Sequence, residues 1–162
     1  MHRNAQQLQK TMTQILLATD PGKNGATVIR WADGKLNSWS WGGEAEFIDL
    51  VKHIQETMID YTVEWYVEHP PKTTGMKRPE STGFVLGENF GFIKGAVMAG
   101  GIRMHLVRPQ AWQAMYTGIK GKAYKERKDL CWEEAKRLFP LPTKVTKKNS
   151  DAWLILNFAQ NK

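Results

Sequence analysis

Short apolar runs alternate with longer amphipathic stretches along this chain, and their order predicts its elements. Ile15-Leu16-Leu17-Ala18-Thr19 is a brief apolar run bounded by turn residues, which reads as a buried strand over 13–19. Asp20-Pro21-Gly22-Lys23-Asn24-Gly25 is a turn, because Pro and Gly supply its backbone angles. A second strand follows over 26–31, Asp33-Gly34 is a hairpin signal, and 36–41 alternates as a third strand. Phe47, Leu50, Val51, Ile54, Met58 and Ile59 recur at helical spacing and predict a helix over 44–61. The mostly apolar 63–68 is a fourth strand, stopped by His69-Pro70-Pro71. A helix over 84–99, a fifth strand over 104–107, a short helix over 110–115 and an amphipathic helix over 125–139 come next. Pro140 and Pro142 end the last of these, and Ser150 is the expected N-cap of a closing helix. Three antiparallel strands followed by helix-linked strands make an α/β sheet with helices on both faces.

The helix over 84–99 carries Gly87, Gly91 and Gly95. Each costs about 1 kcal/mol relative to Ala in a helix. That cost is understandable if another backbone comes close, either the sheet or a second copy of the chain.

The 162 residues are expected to form one domain, with 1–12 a flexible extension. No apolar run approaches the roughly 20 residues that span a bilayer, so no membrane partner is expected. The single Cys131 rules out an intramolecular disulfide, and no Cys/His cluster has zinc spacing. A reducing compartment follows, read as cytoplasmic; the absence of acids in the first 19 residues is the one weak feature in favour of an organelle.

Charge changes the picture. The net charge is +7, and ten Lys/Arg stand against four Asp/Glu between Lys120 and Lys148. Such a block binds phosphates through counterion release, or serves as a solvated face. Against that basic body, three acids end or open different elements: Asp20 closes the first strand, Glu68 the fourth, and Asp151 opens the last helix. Strand ends converge at a sheet rim. Acids gathered there repel one another unless a divalent cation lies between them, and hard oxygen ligands suit Mg²⁺, with Mn²⁺ able to substitute. Glu64 is a rival on the same strand face as Glu68, four residues earlier.

Several strings resemble RuvC-type Holliday junction resolvases of the ribonuclease H-like superfamily. LATDPGKNGATVIRW, from Leu17, resembles their first strand, turn and second strand. WYVEHPP, from Trp65, resembles their fourth strand with its acid, and LGENFGFIKGAVMA, from Leu86, their dimerising helix. HLVRPQAWQ, from His105, is similar to the fifth strand and following Pro, and SDAWLIL, from Ser150, to the start of the last helix. The likeness covers about residues 13–160, and the short chain looks more like the phage or viral branch. It implies a ribonuclease H-like fold with a five-stranded mixed sheet. It also implies a homodimeric, Mg²⁺-dependent endonuclease that nicks opposed strands of a four-way junction symmetrically, for DNA recombination and repair.

In that chemistry, two ions about 4 Å apart activate water, stabilise the transition state and assist the leaving group. Asp20 would bridge both ions, Glu68 would hold one and Asp151 the other. The family usually has an acid or His three residues before the last Asp, where this chain has Lys148 beside Asn149. Lys148 would contact the scissile phosphate or face solvent, and the second ion is in doubt. A family lysine aimed at the phosphate matches Lys125 best and Lys122 second; another falls on Gln113. Lys120, Lys122 and Lys125, with Lys72, Lys77 and Arg78 of the loop after the fourth strand, are expected to bind DNA backbone. Met76 or Phe84 is the expected junction wedge, unless Phe84 opens its helix as a core residue. Trp65, Trp112, Trp132 and Trp153 are read as core, and His69 as a tuning neighbour of Glu68 or a surface residue.

Two other readings remain open. One is a catalytically weak junction- or duplex-binding protein, favoured by Lys148. The other is a ribonuclease H-like nuclease of RNA–DNA hybrids or flaps. A nucleotide cofactor is not expected, because the chain is too short for the two lobes of an actin-like ATPase.

Overall fold

The computed structural model describes residues 13–40, 43–70 and 80–162. The expected extension over 1–12 lies outside them. In chain order the elements are β1 (Gln14–Thr19), β2 (Ala26–Arg30), β3 (Leu36–Ser40), α1 (Glu44–Thr57), β4 (Thr62–Glu68), α2 (Glu80–Ala99), β5 (Arg103–Val107), α3 (Pro109–Gln113), α4 (Tyr124–Leu138) and α5 (Ser150–Gln160). The five strands lie in the order β3-β2-β1-β4-β5. β2 is antiparallel to β1 and β3, whereas β4 is parallel to β1 and β5.

Strand side chains alternate between faces, so each strand supplies two layers of core. Ile15, Leu17, Ile29, Trp65 and Val67 meet Phe47, Leu50, Ile54, Ile93 and Val97 of α1 and α2 on one face. Leu16, Ala18, Val28, Tyr66 and Val107 meet Trp112, Cys131, Ala135 and the apolar side of α5 on the other. Both faces are therefore covered, and the central strands read as continuous apolar runs. Trp65 is fully buried, and its truncation to Ala would cost about 3–5 kcal/mol.

A small polar network fixes the end of β1. The Trp65 indole N–H donates to Thr19 Oγ1 at 2.8 Å, and that hydroxyl lies 2.8 Å from Thr27 Oγ1. Beyond it, the Asp20 amide donates to the carbonyl of Ala26 at 3.1 Å. Gly25 packs so closely against this turn that a Cβ there would lie 1.9 Å from the Asp20 carbonyl oxygen. The hairpin expected at Asp33-Gly34 is present, with Gly34 at φ +84°.

Some boundaries differ from the sequence pattern. α1 stops at Thr57, whose hydroxyl donates to the carbonyl of Ile54. Ile59, apolar and at helical spacing, lies in the following turn and is 87% exposed. α2 begins at Glu80, four residues before Phe84. Ser150 is the first helical residue of α5, and Asn149 precedes it. The Asn149 side chain is spent on the preceding turn, accepting from the Thr146 amide and donating to the Lys144 carbonyl. Among the described residues, no helix is long and apolar enough to cross a membrane.

Candidate active site

The register places two of the acids together. Thr19 pairs with Val67 across the parallel β1–β4 ladder, so Asp20 and Glu68 end neighbouring strands at the same rim. Both continue the face lined by Ala18 and Tyr66, which α5 covers. Asp151, in the first turn of α5, is 4% exposed and enters the same space from above the sheet.

The three acids share one electrostatic environment. Burial pushes the Glu68 carboxyl up to about 8, and the charges of Asp20 and Asp151 push in the same direction. Burial also raises Asp20, aided by Asp151 and opposed by Lys128 and the Gly22 amide. Each acid has distinct support. Asp20 Oδ1 accepts from the Gly22 amide at 2.9 Å, so the turn-forming role of this Asp coexists with its place at the rim. Glu68 Oε2 accepts from the indole N–H of Trp112 at 2.7 Å. Asp151 Oδ2 receives the Lys128 ammonium at 2.8 Å and Arg127 Nη1 at 3.4 Å. Lys128 Nζ also lies 3.9 Å from Asp20 Oδ2. Burial disfavours the Lys128 charge, but Asp151 and Asp20 outweigh it and hold the ammonium above the ordinary lysine range.

The donor set suits a hard divalent cation in kind: carboxylate oxygens under mutual repulsion, which a cation would relieve. The arrangement is less complete. Among the described residues, no three His, Cys, Asp or Glu side chains are placed so that one ion would meet them all.

The structure does not bring every sequence candidate to this rim. Lys125 and Lys148 are exposed, and neither is an ion-pair partner of the three acids among the described residues. Lys120 is exposed, and Lys122 pairs with Glu126 at 2.7 Å. Lys72, Met76, Lys77 and Arg78 lie outside the described residues. Phe84 is 70% exposed, so it is no core residue of this chain. Glu64 is tied up elsewhere, with Tyr66 Oη at 3.2 Å, Arg103 Nη1 at 3.4 Å and His105 Nε2 at 3.4 Å. His69 contacts the Pro70 carbonyl at 2.9 Å and the Phe90 ring. Trp65, Trp112 and Trp153 are buried as read; Trp132 is half-buried, with Lys136 Nζ 3.9 Å from its ring centroid.

Three contacts at the site were not read from the sequence. Arg127 and Lys128 lie on the α4 face that carries Cys131 and Ala135 inward, one turn later. Helical phase was the signal that could have separated them from Lys125. The apolar pattern makes Trp112 a core residue; its indole N–H needs a buried acceptor, and pattern alone does not say which.

This order of strands, with helices on both faces, is the ribonuclease H-like fold in the form seen in junction resolvases. Among solved structures, the chain is similar to Thermus thermophilus RuvC in complex with a Holliday junction substrate, at 13% identity and TM-score 0.54, over 88% of this chain and 90% of that one. A second T. thermophilus RuvC structure gives 14% identity and TM-score 0.51 over 88% and 90%. The yeast mitochondrial Holliday junction resolvase Ydc2 gives 12% identity and TM-score 0.50 over 99% and 85%. No protein-family description and no curated protein matches the sequence.

Proposed function

We propose that this chain is a divalent-metal-dependent DNA endonuclease that resolves four-way junctions as a homodimer. The observation that carries this reading is the meeting of Asp20 and Glu68 at the β1–β4 rim, with Lys128 joining Asp20 to Asp151, in a fold whose similar structures include a junction-bound RuvC. Carboxylates that raise one another's proton affinity in a protein of net charge +7 suit capture of a cation and then of a polyanion. The ion, Mg²⁺ or Mn²⁺, would polarise the scissile phosphate and lower the pKa of an attacking water. Asp20, Glu68 and Asp151 are the acids available to it, although no three described side chains are placed to meet one ion together. Trp112 keeps one Glu68 oxygen oriented, and the Gly22 amide does the same for Asp20. Arg127 and Lys128 add fixed positive charge beside Asp151, where a phosphate oxygen would be drawn. Lys120, Lys122 and Lys125 extend that attraction along the surface as backbone contacts.

The homodimer is proposed through α2, where a Cβ on Gly87, Gly91 or Gly95 would meet nothing within 4 Å among the described residues. The close approach these glycines allow is therefore not to this chain's own sheet.

The test uses a labelled four-way junction beside an RNA–DNA hybrid, a flap and a plain duplex, each with Mg²⁺ or Mn²⁺. Paired symmetric nicks on the junction are expected. Preferential cleavage of the hybrid or flap would move the assignment to another ribonuclease H-like nuclease. Binding without nicks would make it a junction binder, a reading favoured by the seating of Lys128 between Asp151 and Asp20.

A further inference from the structure

We propose that Lys128 is a resident cation of the acidic rim, so that each protomer takes one divalent ion, on the Asp20–Glu68 side, rather than two. The inference rests on the metal-site reading above and concerns how that site divides its charge.

The three acids are not equivalent. Asp151 Oδ2 already faces two cations, Lys128 Nζ at 2.8 Å and Arg127 Nη1 at 3.4 Å. The first is the length of a charge-assisted hydrogen bond. Lys128 also reaches towards Asp20, 3.9 Å from its Oδ2. These side chains are 18%, 6% and 13% exposed for Lys128, Asp151 and Asp20, so little water screens them. Glu68 differs. Its described partner is the neutral indole of Trp112, and no Lys or Arg pairs with it among the described residues. Of the three acids, Glu68 is therefore the one without a cation at ion-pair distance among the described residues.

Counting charges leads to the same place. With all three carboxylates ionised, as a bound cation would leave them, they face two built-in cations, a net charge of −1. One divalent ion reverses that to +1. A second would have to enter beside an ammonium and a guanidinium, displacing Lys128 from the oxygen it would itself need. Lys128 faces Asp20 Oδ2, whereas Oδ1, which accepts the Gly22 amide, keeps a lone pair for an ion.

The test is Mn²⁺ binding to the full chain without DNA, followed by electron paramagnetic resonance of the free ion. Wild type is compared with Lys128→Gln, which removes the charge, and Lys128→Arg, which keeps it. One Mn²⁺ per protomer is expected for wild type and for Lys128→Arg. Lys128→Gln should take a second ion, or bind the first about tenfold more tightly or better. Two ions in wild type would overturn the proposal, as would the same number and affinity in Lys128→Gln. Absence of bound Mn²⁺ in all three proteins would instead remove the metal-site reading itself, and this proposal with it. Circular dichroism of each variant establishes that the rim is being compared in folded chains.

Discussion

The indole N–H of Trp112 points at Oε2 of Glu68 from 2.7 Å, linking the short helix after β5 to the end of β4. Trp112 is itself fully buried, packed edge-on against Tyr116, whose hydroxyl donates to the Leu154 carbonyl in α5. One chain of contacts thus ties the orientation of Glu68 to the helix that carries Asp151. Leaving a buried acceptor without its donor costs about 1–3 kcal/mol. Trp112→Phe keeps most of the apolar volume and removes the donor. It is expected to lower stability by about 2 kcal/mol and to reduce junction cleavage by about tenfold or more. Chemical denaturation and single-turnover cleavage measure the two effects. Unchanged cleavage by a folded Trp112→Phe protein would make the bond a packing detail.

The pH dependence of stability has a definite sign. Glu68 holds its proton up to about pH 8 in the folded chain, and Asp20 is shifted in the same direction. The unfolded chain releases these protons near the ordinary carboxyl range, about pH 4. Between those values the folded state binds more protons, so stability falls as pH rises from about 5 to 8. Each pKa unit corresponds to about 1.4 kcal/mol, enough to move the thermal midpoint by several degrees. Glu68→Gln removes one titrating group and should flatten the slope while raising stability at pH 8. Midpoints measured across this range in chelator are the check, and added Mg²⁺ should stabilise wild type most at the alkaline end.

Which parts of this arrangement could be read from sequence depends on how local their causes are. Asp20 and Glu68 were legible because each ends an apolar strand, and strand ends meet at a rim whatever the details of packing. Asp151 was legible because a helix start follows the polar stretch 143–149. The five strands and their order follow from short apolar runs and turn residues in the same way. What could not be read lies in phase and in long-range acceptors. Lys125 and Lys128 share one basic helix start, and only the inward turn of Cys131 and Ala135 selects Lys128. The Trp112–Glu68 bond joins residues 44 positions apart, which hydrophobic pattern does not encode. Ser150 looked like a helix cap by type, yet its hydroxyl donates to the Lys147 carbonyl from inside the helix.

Removing an acid from the rim should separate binding from chemistry. Asp20→Asn keeps the size of the side chain and can still accept from the Gly22 amide, so the turn is expected to survive. Cleavage should be lost by at least about a hundredfold, because a neutral amide is a poor ligand for a hard cation. Junction binding should be retained or strengthened, since one charge that repels phosphate is gone. Gel shifts in Ca²⁺ and cleavage in Mg²⁺ read the two separately. Cleavage at the wild-type rate would remove Asp20 from the assignment.

The open side of α2 makes the dimer testable without disturbing the fold. Phe84 and Met98 are 70% and 59% exposed, and Gly87, Gly91 and Gly95 follow the same side of the helix between them. A Cβ at Gly91 would meet nothing within 4 Å among the described residues. Gly91→Arg also relieves the helix of a glycine that costs about 1 kcal/mol, so the isolated protomer should be at least as stable as before. In a dimer joined through this surface, the same arginine would hold the two helices apart and bring like charges together. Sedimentation at micromolar concentration should show a wild-type dimer and a Gly91→Arg monomer. The monomer should nick junction strands singly rather than in symmetric pairs. A Gly91→Arg protein that remains dimeric would place the contact elsewhere, and a monomeric wild type that still makes paired nicks would remove the need for it.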